Sequence, residues 1–138
     1  MSSDQVMKVL VYSDDASTRE KVRLAIGRRP APDLPLAEII ECATQAKVIQ
    51  LLDSGEIDVA VLDGEAQPAG GMGVSRQAKD EVFDCPPICL LIARRDDRWL
   101  ANWSRADAVV AQPIDPMVMA DTVADLMRTR SAGRLTAH

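Results

Sequence analysis

Asp63 is the residue in this chain whose type and place most suit chemistry. It closes a short apolar run, Val59-Ala60-Val61-Leu62, and is followed by glycine. A run of that length, rich in β-branched residues and bounded by turn residues, reads as a strand buried on both faces. In an open parallel sheet the functional crevice lies beyond the carboxyl ends of such strands. A carboxylate there is either a working group or the remnant of one. A second polar cluster, Ser13-Asp14-Asp15, closes an earlier apolar run, residues 8–12 (KVLVY).

Residue types exclude several other chemistries. The one histidine is His138, the last residue. That removes His-based acid–base catalysis, Ser-His triads and most zinc sites unless the terminus folds back. Cys85-Pro-Pro-Ile-Cys89 resembles a metal or redox pair but lacks CxxC spacing, and Cys42 and Cys89 fall inside strands as small apolar residues. Residues 64–73, GEAQPAGGMG, hold four glycines without the G-x-x-x-x-G-K-[ST] order of a phosphate-cradling loop, and read as a flexible connection.

Composition narrows the classes further. A chain of 138 residues suits one domain with a sizeable core. A net charge of −5 disfavours a nucleic-acid role, since phosphate binding would need a compensating basic face. No apolar run approaches the roughly 20 residues of a membrane-spanning helix, and the N-terminus lacks the layout of a signal peptide. The expected location is cytoplasmic, without membrane insertion.

The elements that must position these residues follow in order. After the strand at 8–12, Ser17 and Glu20 have the spacing of a capping box for a first helix, which buries Val22, Ala25 and Ile26 and ends near Gly27. Prolines at 30, 32 and 35 stiffen the next connection. Residues 36–42 form a second strand, with Glu38 and Glu41 suggesting a sheet edge. Thr44 caps a second helix with Val48, Leu51 and Leu52 inward. The strand ending at Asp63 follows, then a third helix burying Val74, Ala78 and Val82. Residues 88–92, ICLLI, are a fourth strand. Residues 94–105 hold a fourth helix, capped by Asp96 or Asp97, with Trp99 and Trp103 four apart on one face. Residues 108–111 are a fifth strand. Asp115 then caps a last helix with Pro116 at its first position and Met119, Val123, Leu126 and Met127 inward. Residues 131–138 read as a disordered tail. Five strands alternating with five helices predict a doubly wound α/β domain.

The order of elements, the acids after strand one, the aspartate ending strand three, the proline-led fourth strand and Gln112-Pro113 after strand five together resemble the receiver domain of two-component response regulators. The resemblance covers residues 6–130. It implies a flavodoxin-like (βα)5 three-layer sandwich with a five-stranded parallel sheet in the order 2-1-3-4-5. It also implies a chemical set: two acids after strand one to hold Mg²⁺, an aspartate to accept a phosphoryl group, a hydroxyl ending strand four, and a lysine before the proline after strand five. Mg²⁺ requires several converging oxygen ligands, and a transferred phosphoryl needs a cation and donors to neutralise its charge.

Only part of that set is present. Asp63 matches the acceptor, and Asp14, Asp15 and Asp63 form a weak Mg²⁺ set. Ser13 stands at the first acid position, Ile92 where a hydroxyl belongs, and Gln112 in place of the lysine. The resemblance therefore implies a degenerate, stand-alone pseudo-receiver without enzymatic activity, with no resident cofactor and Mg²⁺ at most loosely held. It would act by docking to another protein. Some relatives of this kind associate with the respiratory NADH dehydrogenase, complex I, and the resemblance implies the same partner here, which would place the protein at the cytoplasmic side of a membrane complex. In the family the docking face is helix four, strand five and helix five, which here carries Arg94, Arg95, Arg98, Trp99, Trp103, Arg105, Val109 and Met117. Two alternatives stand beside this one: a conventional single-domain regulator phosphorylated on Asp63, and a flavodoxin-like binder of a small ligand.

Overall fold

The structure is a computed structural model that describes residues 6–67 and 69–136. His138, and the side chains of Arg95 and Asp96, lie outside the described residues. The elements alternate along the chain: β1 (Val6–Tyr12), α1 (Ala16–Ile26), β2 (Leu36–Cys42), α2 (Gln45–Asp53), β3 (Val59–Asp63), α3 (Gly71–Glu81), β4 (Ile88–Ile92), a 3₁₀ turn (Arg95–Arg98) leading into α4 (Trp99–Ser104), β5 (Ala108–Ala111) and α5 (Pro116–Thr136).

All strand pairs are parallel, in the expected order β2-β1-β3-β4-β5. The register explains why distant residues converge. Tyr12 pairs with Leu62, so Ser13 comes level with Asp63. Asp63 pairs with Leu91, which brings Ile92 alongside. Ile92 pairs with Ala111, and Gln112 follows. The carboxyl-terminal end of the sheet thus collects Ser13, Asp63, Ile92 and Gln112.

Side chains alternate across a strand, and the sheet is buried on both faces. Val9, Val11, Val59, Val61, Cys89 and Leu91 meet Val22 and Ile26 of α1 and Met119, Val123 and Met127 of α5. Leu10, Tyr12, Ala60, Leu62 and Ile88 meet Val48 and Leu52 of α2 and Val74 and Ala78 of α3. β3 and β4 are buried at every position. β2 lies at the edge with Glu38 and Glu41 only partly covered or exposed.

Several local expectations change. The N-cap of α1 is Asp15, not Ser17: its Oδ1 accepts from the Ser17 N–H at 2.9 Å and its Oδ2 from the Thr18 hydroxyl at 3.3 Å. A short carboxylate at the last extended residue reaches the first free N–H groups better than a residue already inside the turn. The glycine-rich connection is shorter than expected, because Gly71 and Gly73 already belong to α3. The fourth helix opens as 3₁₀ after an extended Arg94 that makes no side-chain cap, so neither Asp96 nor Asp97 takes that position. The last helix runs through Thr136, past the boundary expected at Arg130, so residues 131–136 continue it. Among the described residues no helix is long and apolar enough to cross a membrane.

Candidate functional site

The Asp63 carboxylate is 4% exposed, and both its oxygens are engaged. Oδ2 accepts from the Ser13 hydroxyl at 2.8 Å, and Oδ1 accepts from the Glu65 backbone N–H at 2.8 Å. Gln112 Nε2 lies 3.5 Å from Oδ1, a long and weak contact. Ser13 is fully buried and its oxygen accepts the Asp15 N–H at 3.0 Å, so its single hydroxyl proton is committed to Asp63. The Ser13 carbonyl in turn accepts from Arg19 at 2.6 Å, and Arg19 pairs with Glu41 at 3.0 Å. The β1–α1 turn is thereby tied to the edge strand.

These groups face a cleft of about 370 Å³ lined by Asp14, Asp15, Thr18, Asp63, Glu65, Ala93 and Gln112. Of the expected Mg²⁺ set, Asp15 has both oxygens on the α1 cap and Asp63 has both oxygens hydrogen-bonded, which leaves Asp14 as the free carboxylate. Among the described residues no group of three or more His, Cys, Asp or Glu side chains is placed to hold a metal ion. A donor set of this kind does not fit a resident Mg²⁺, which requires several converging oxygens. Ile92 is buried at the end of β4 and contributes only hydrocarbon. Gln112 is neutral where a phosphoryl group would need charge.

The loop after β3 is held tightly. The Tyr12 hydroxyl donates to the Ala69 carbonyl at 2.5 Å, and burial pushes its pKa up. A Cβ on Gly71 would sit 2.7 Å from the carbonyl carbon and oxygen of Asp63. The glycine pair at 70–71 thus marks a close backbone approach rather than slack in the chain. This contact, and the Tyr12 tether, had no signal in the sequence beyond the glycines themselves.

The residues expected to dock a partner separate in the structure. Trp99 and Trp103 are 66% and 50% exposed. They line an apolar groove of about 600 Å³ with Gln45 of α2, Ala69 and Gly70 of the loop, and Met72, Gly73 and Val74 of α3. Val109, half-buried on β5, and Met117, exposed on α5, do not line it. The tryptophans open toward α2 and α3, because α4 is clamped to α3. The buried Ser75 hydroxyl donates to the Ser104 carbonyl at 2.9 Å, Arg76 donates to the Trp103 carbonyl at 2.7 Å, and Arg105 pairs with Asp80. The Arg76 guanidinium also stacks 5.2 Å from the Trp103 ring centroid. Arg94 and Arg98 are exposed.

The cysteines are free thiols. Burial pushes Cys42 to about 11 and Cys89 to about 12, and pushes Cys85 up as well. Thiols held protonated in this way suit apolar packing rather than redox or metal chemistry.

No family model matches the chain. Two uncharacterized response regulatory proteins of Mycobacterium tuberculosis, from strains H37Rv and CDC 1551 / Oshkosh, are each 52% identical to it over 126 residues, covering 91% of this chain and 95% of theirs. Among solved structures, a two component transcriptional regulator AraC from Clostridium phytofermentans superposes with a TM-score of 0.76 at 19% identity, covering 94% of this chain and 98% of that one. The REC domain of AraT, a response regulator from Geobacillus stearothermophilus, gives 0.74 at 20% identity, over 94% and 99% of the two chains. The chemotaxis response regulator CheY4 of Vibrio cholerae gives 0.73 at 17%, over 88% and 99%.

Proposed function

The chain belongs to the response-regulator family and carries its receiver fold, and from that premise we propose that it is a pseudo-receiver: a protein-interaction module whose docking does not wait on phosphorylation. One observation carries this reading. The acceptor carboxylate is satisfied on both oxygens by uncharged donors, Ser13 and the Glu65 N–H, while Ile92 and Gln112 supply neither hydroxyl nor cation. A phosphoryl group on Asp63 would have to displace the Ser13 hydrogen bond and then sit without an ionic partner. A hydrogen bond to a charged group contributes about 1.5–3 kcal/mol, so each missing partner raises the free energy of that state by a comparable amount. Asp63 accordingly serves to fix the β1–α1 and β3–α3 turns, and no catalytic role is assigned to it.

The partner put forward is a larger assembly, the respiratory NADH dehydrogenase (complex I), with the protein at its cytoplasmic side. The support is the family resemblance read from the residues. Affinity capture on detergent-solubilised membranes, with and without prior acetyl phosphate and Mg²⁺, tests it. Equal recovery of NADH dehydrogenase activity in both arms is expected. Recovery only after acetyl phosphate would remove the constitutive reading, and recovery in neither arm would remove this partner.

A second reading has its own observation. Asp63 lies at the carboxyl end of β3 beside a cleft of about 370 Å³ that Asp14 shares, the place from which a conventional regulator would be phosphorylated.

A further inference from the structure

We propose that the groove between Trp99, Trp103 and the start of α3 is the docking site for an acidic, amphipathic segment of a partner protein. The inference rests on the interaction-module reading and gives it a surface and a ligand chemistry.

Three observations lead there. The groove has aromatic and aliphatic walls, Trp99, Trp103, Met72 and Val74, and its volume of about 600 Å³ can take two or three apolar side chains of a segment. Both tryptophans are at least half exposed, although the short α4 could have buried either against the sheet. Exposed tryptophan beside arginine is the composition most enriched where binding energy concentrates.

The charge of the segment that carries the two tryptophans selects the partner's sign. Residues 94–105 hold four arginines (94, 95, 98 and 105) against Asp96 and Asp97, a net of +2 in a chain whose total is −5. Arg105 is held by Asp80, and Arg76 by Asp80 and the Trp103 carbonyl. Arg94 and Arg98 are exposed and make no ion pair among the described residues. A local cationic strip on an acidic body repels segments of like sign and steers carboxylates toward the tryptophans. A segment with apolar residues on one face and Asp or Glu on the other satisfies both the apolar walls and the exposed arginines that precede Trp99 in the chain.

The protein carries its own probe, because Trp99 and Trp103 are its only tryptophans and both lie in the groove. Two tryptophan-free synthetic helical peptides are titrated while emission is followed. They share one leucine face and carry Glu or Lys at every polar position. The Glu peptide is expected to shift emission saturably and to bind about tenfold more tightly than the Lys peptide, with the margin shrinking at high salt. Arg94→Ala/Arg98→Ala should lose most of that margin, and Trp103→Ala most of the binding. Equal binding of both peptides, or no change in emission, overturns the proposal. Amide shifts around Met117 and Val118 with unchanged emission would discard the groove yet leave the module reading intact. An emission shift with protein concentration alone would assign the groove to a second copy and overturn the acidic partner. Binding that appears only after acetyl phosphate would keep the groove and remove the constitutive reading.

Discussion

Replacing Ser13 with aspartate restores the acid that the fold's chemical set would place there, and the structure fixes what it should cost. Ser13 Oγ lies 2.8 Å from Asp63 Oδ2 in a position with no solvent access. Ser13→Ala removes the hydrogen bond to Asp63, about 1.5–3 kcal/mol for a charge-assisted one, together with the bond its oxygen accepts from the Asp15 N–H. Ser13→Asp adds a second carboxylate about 3–4 Å from the first, a repulsion of about 4–6 kcal/mol at an effective dielectric near 20. Proton uptake limits that cost, since holding one carboxyl protonated about three pH units above its usual pKa takes about 4 kcal/mol. The variant should therefore lose about 4 kcal/mol at neutral pH, or about 10–20 °C in Tm for a domain of this size. The pair's folded pKa is raised, so the folded state binds more protons than the unfolded one. The Ser13→Asp deficit should shrink as pH falls from about 7 to about 4. Millimolar Mg²⁺ should recover about 2–3 kcal/mol if present at about a hundredfold its Kd, while leaving the wild-type melt unchanged. Urea denaturation and thermal melts of the three proteins across pH, with and without Mg²⁺, give the comparison. If Ser13→Asp matches Ser13→Ala at every pH, or wild type gains as much from Mg²⁺ as the variant, the described Ser13–Asp63 geometry is wrong.

Other consequences are testable in the same way. Gly71→Ala should cost about 1–3 kcal/mol in urea denaturation, because the new Cβ would press on the Asp63 carbonyl at 2.7 Å; a neutral result would mean the loop has slack. Leu62→Ala, on the fully buried β3, should cost about 2–5 kcal/mol, and a loss under about 1 kcal/mol would contradict its place in the core. Arg128 beside Asp33 holds that carboxyl at about 2, so its stabilisation is present above the ordinary value of 3.8 and fades as pH falls toward 2. The melting difference between wild type and Asp33→Asn should close over that window, and a gap that persists below it would point elsewhere. Alkylation mapped by mass spectrometry at mildly alkaline pH should modify Cys85, partly exposed, before the buried Cys42 and Cys89; early loss of the Cys89 thiol would contradict its burial.

The strands were the most legible part of the fold, because residues 9–12, 59–62 and 88–92 are continuous apolar runs and a sheet buried on both faces demands that pattern. The incomplete chemical set of Ser13, Asp63, Ile92 and Gln112 was legible only through the receiver resemblance, and the parallel register is what brings the four together at the carboxyl ends of the strands. Features that depend on which group reaches an atom first were not legible. Ser17 and Asp15 both suit an N-cap, and only backbone geometry gave it to Asp15. The spacing of Trp99 and Trp103 showed that they share a face but not which neighbour that face meets. The Ser75–Ser104 bond that turns α4 toward α3 joins two small polar residues with no pattern to announce it.

The most direct test of the pseudo-receiver claim is intact-mass measurement of the protein after incubation with acetyl phosphate and Mg²⁺, beside Asp63→Asn. The account predicts no phosphoryl adduct on either protein. A near-stoichiometric adduct on wild type that is lost in Asp63→Asn would contradict it and return Asp63 to the role of a working phosphoacceptor.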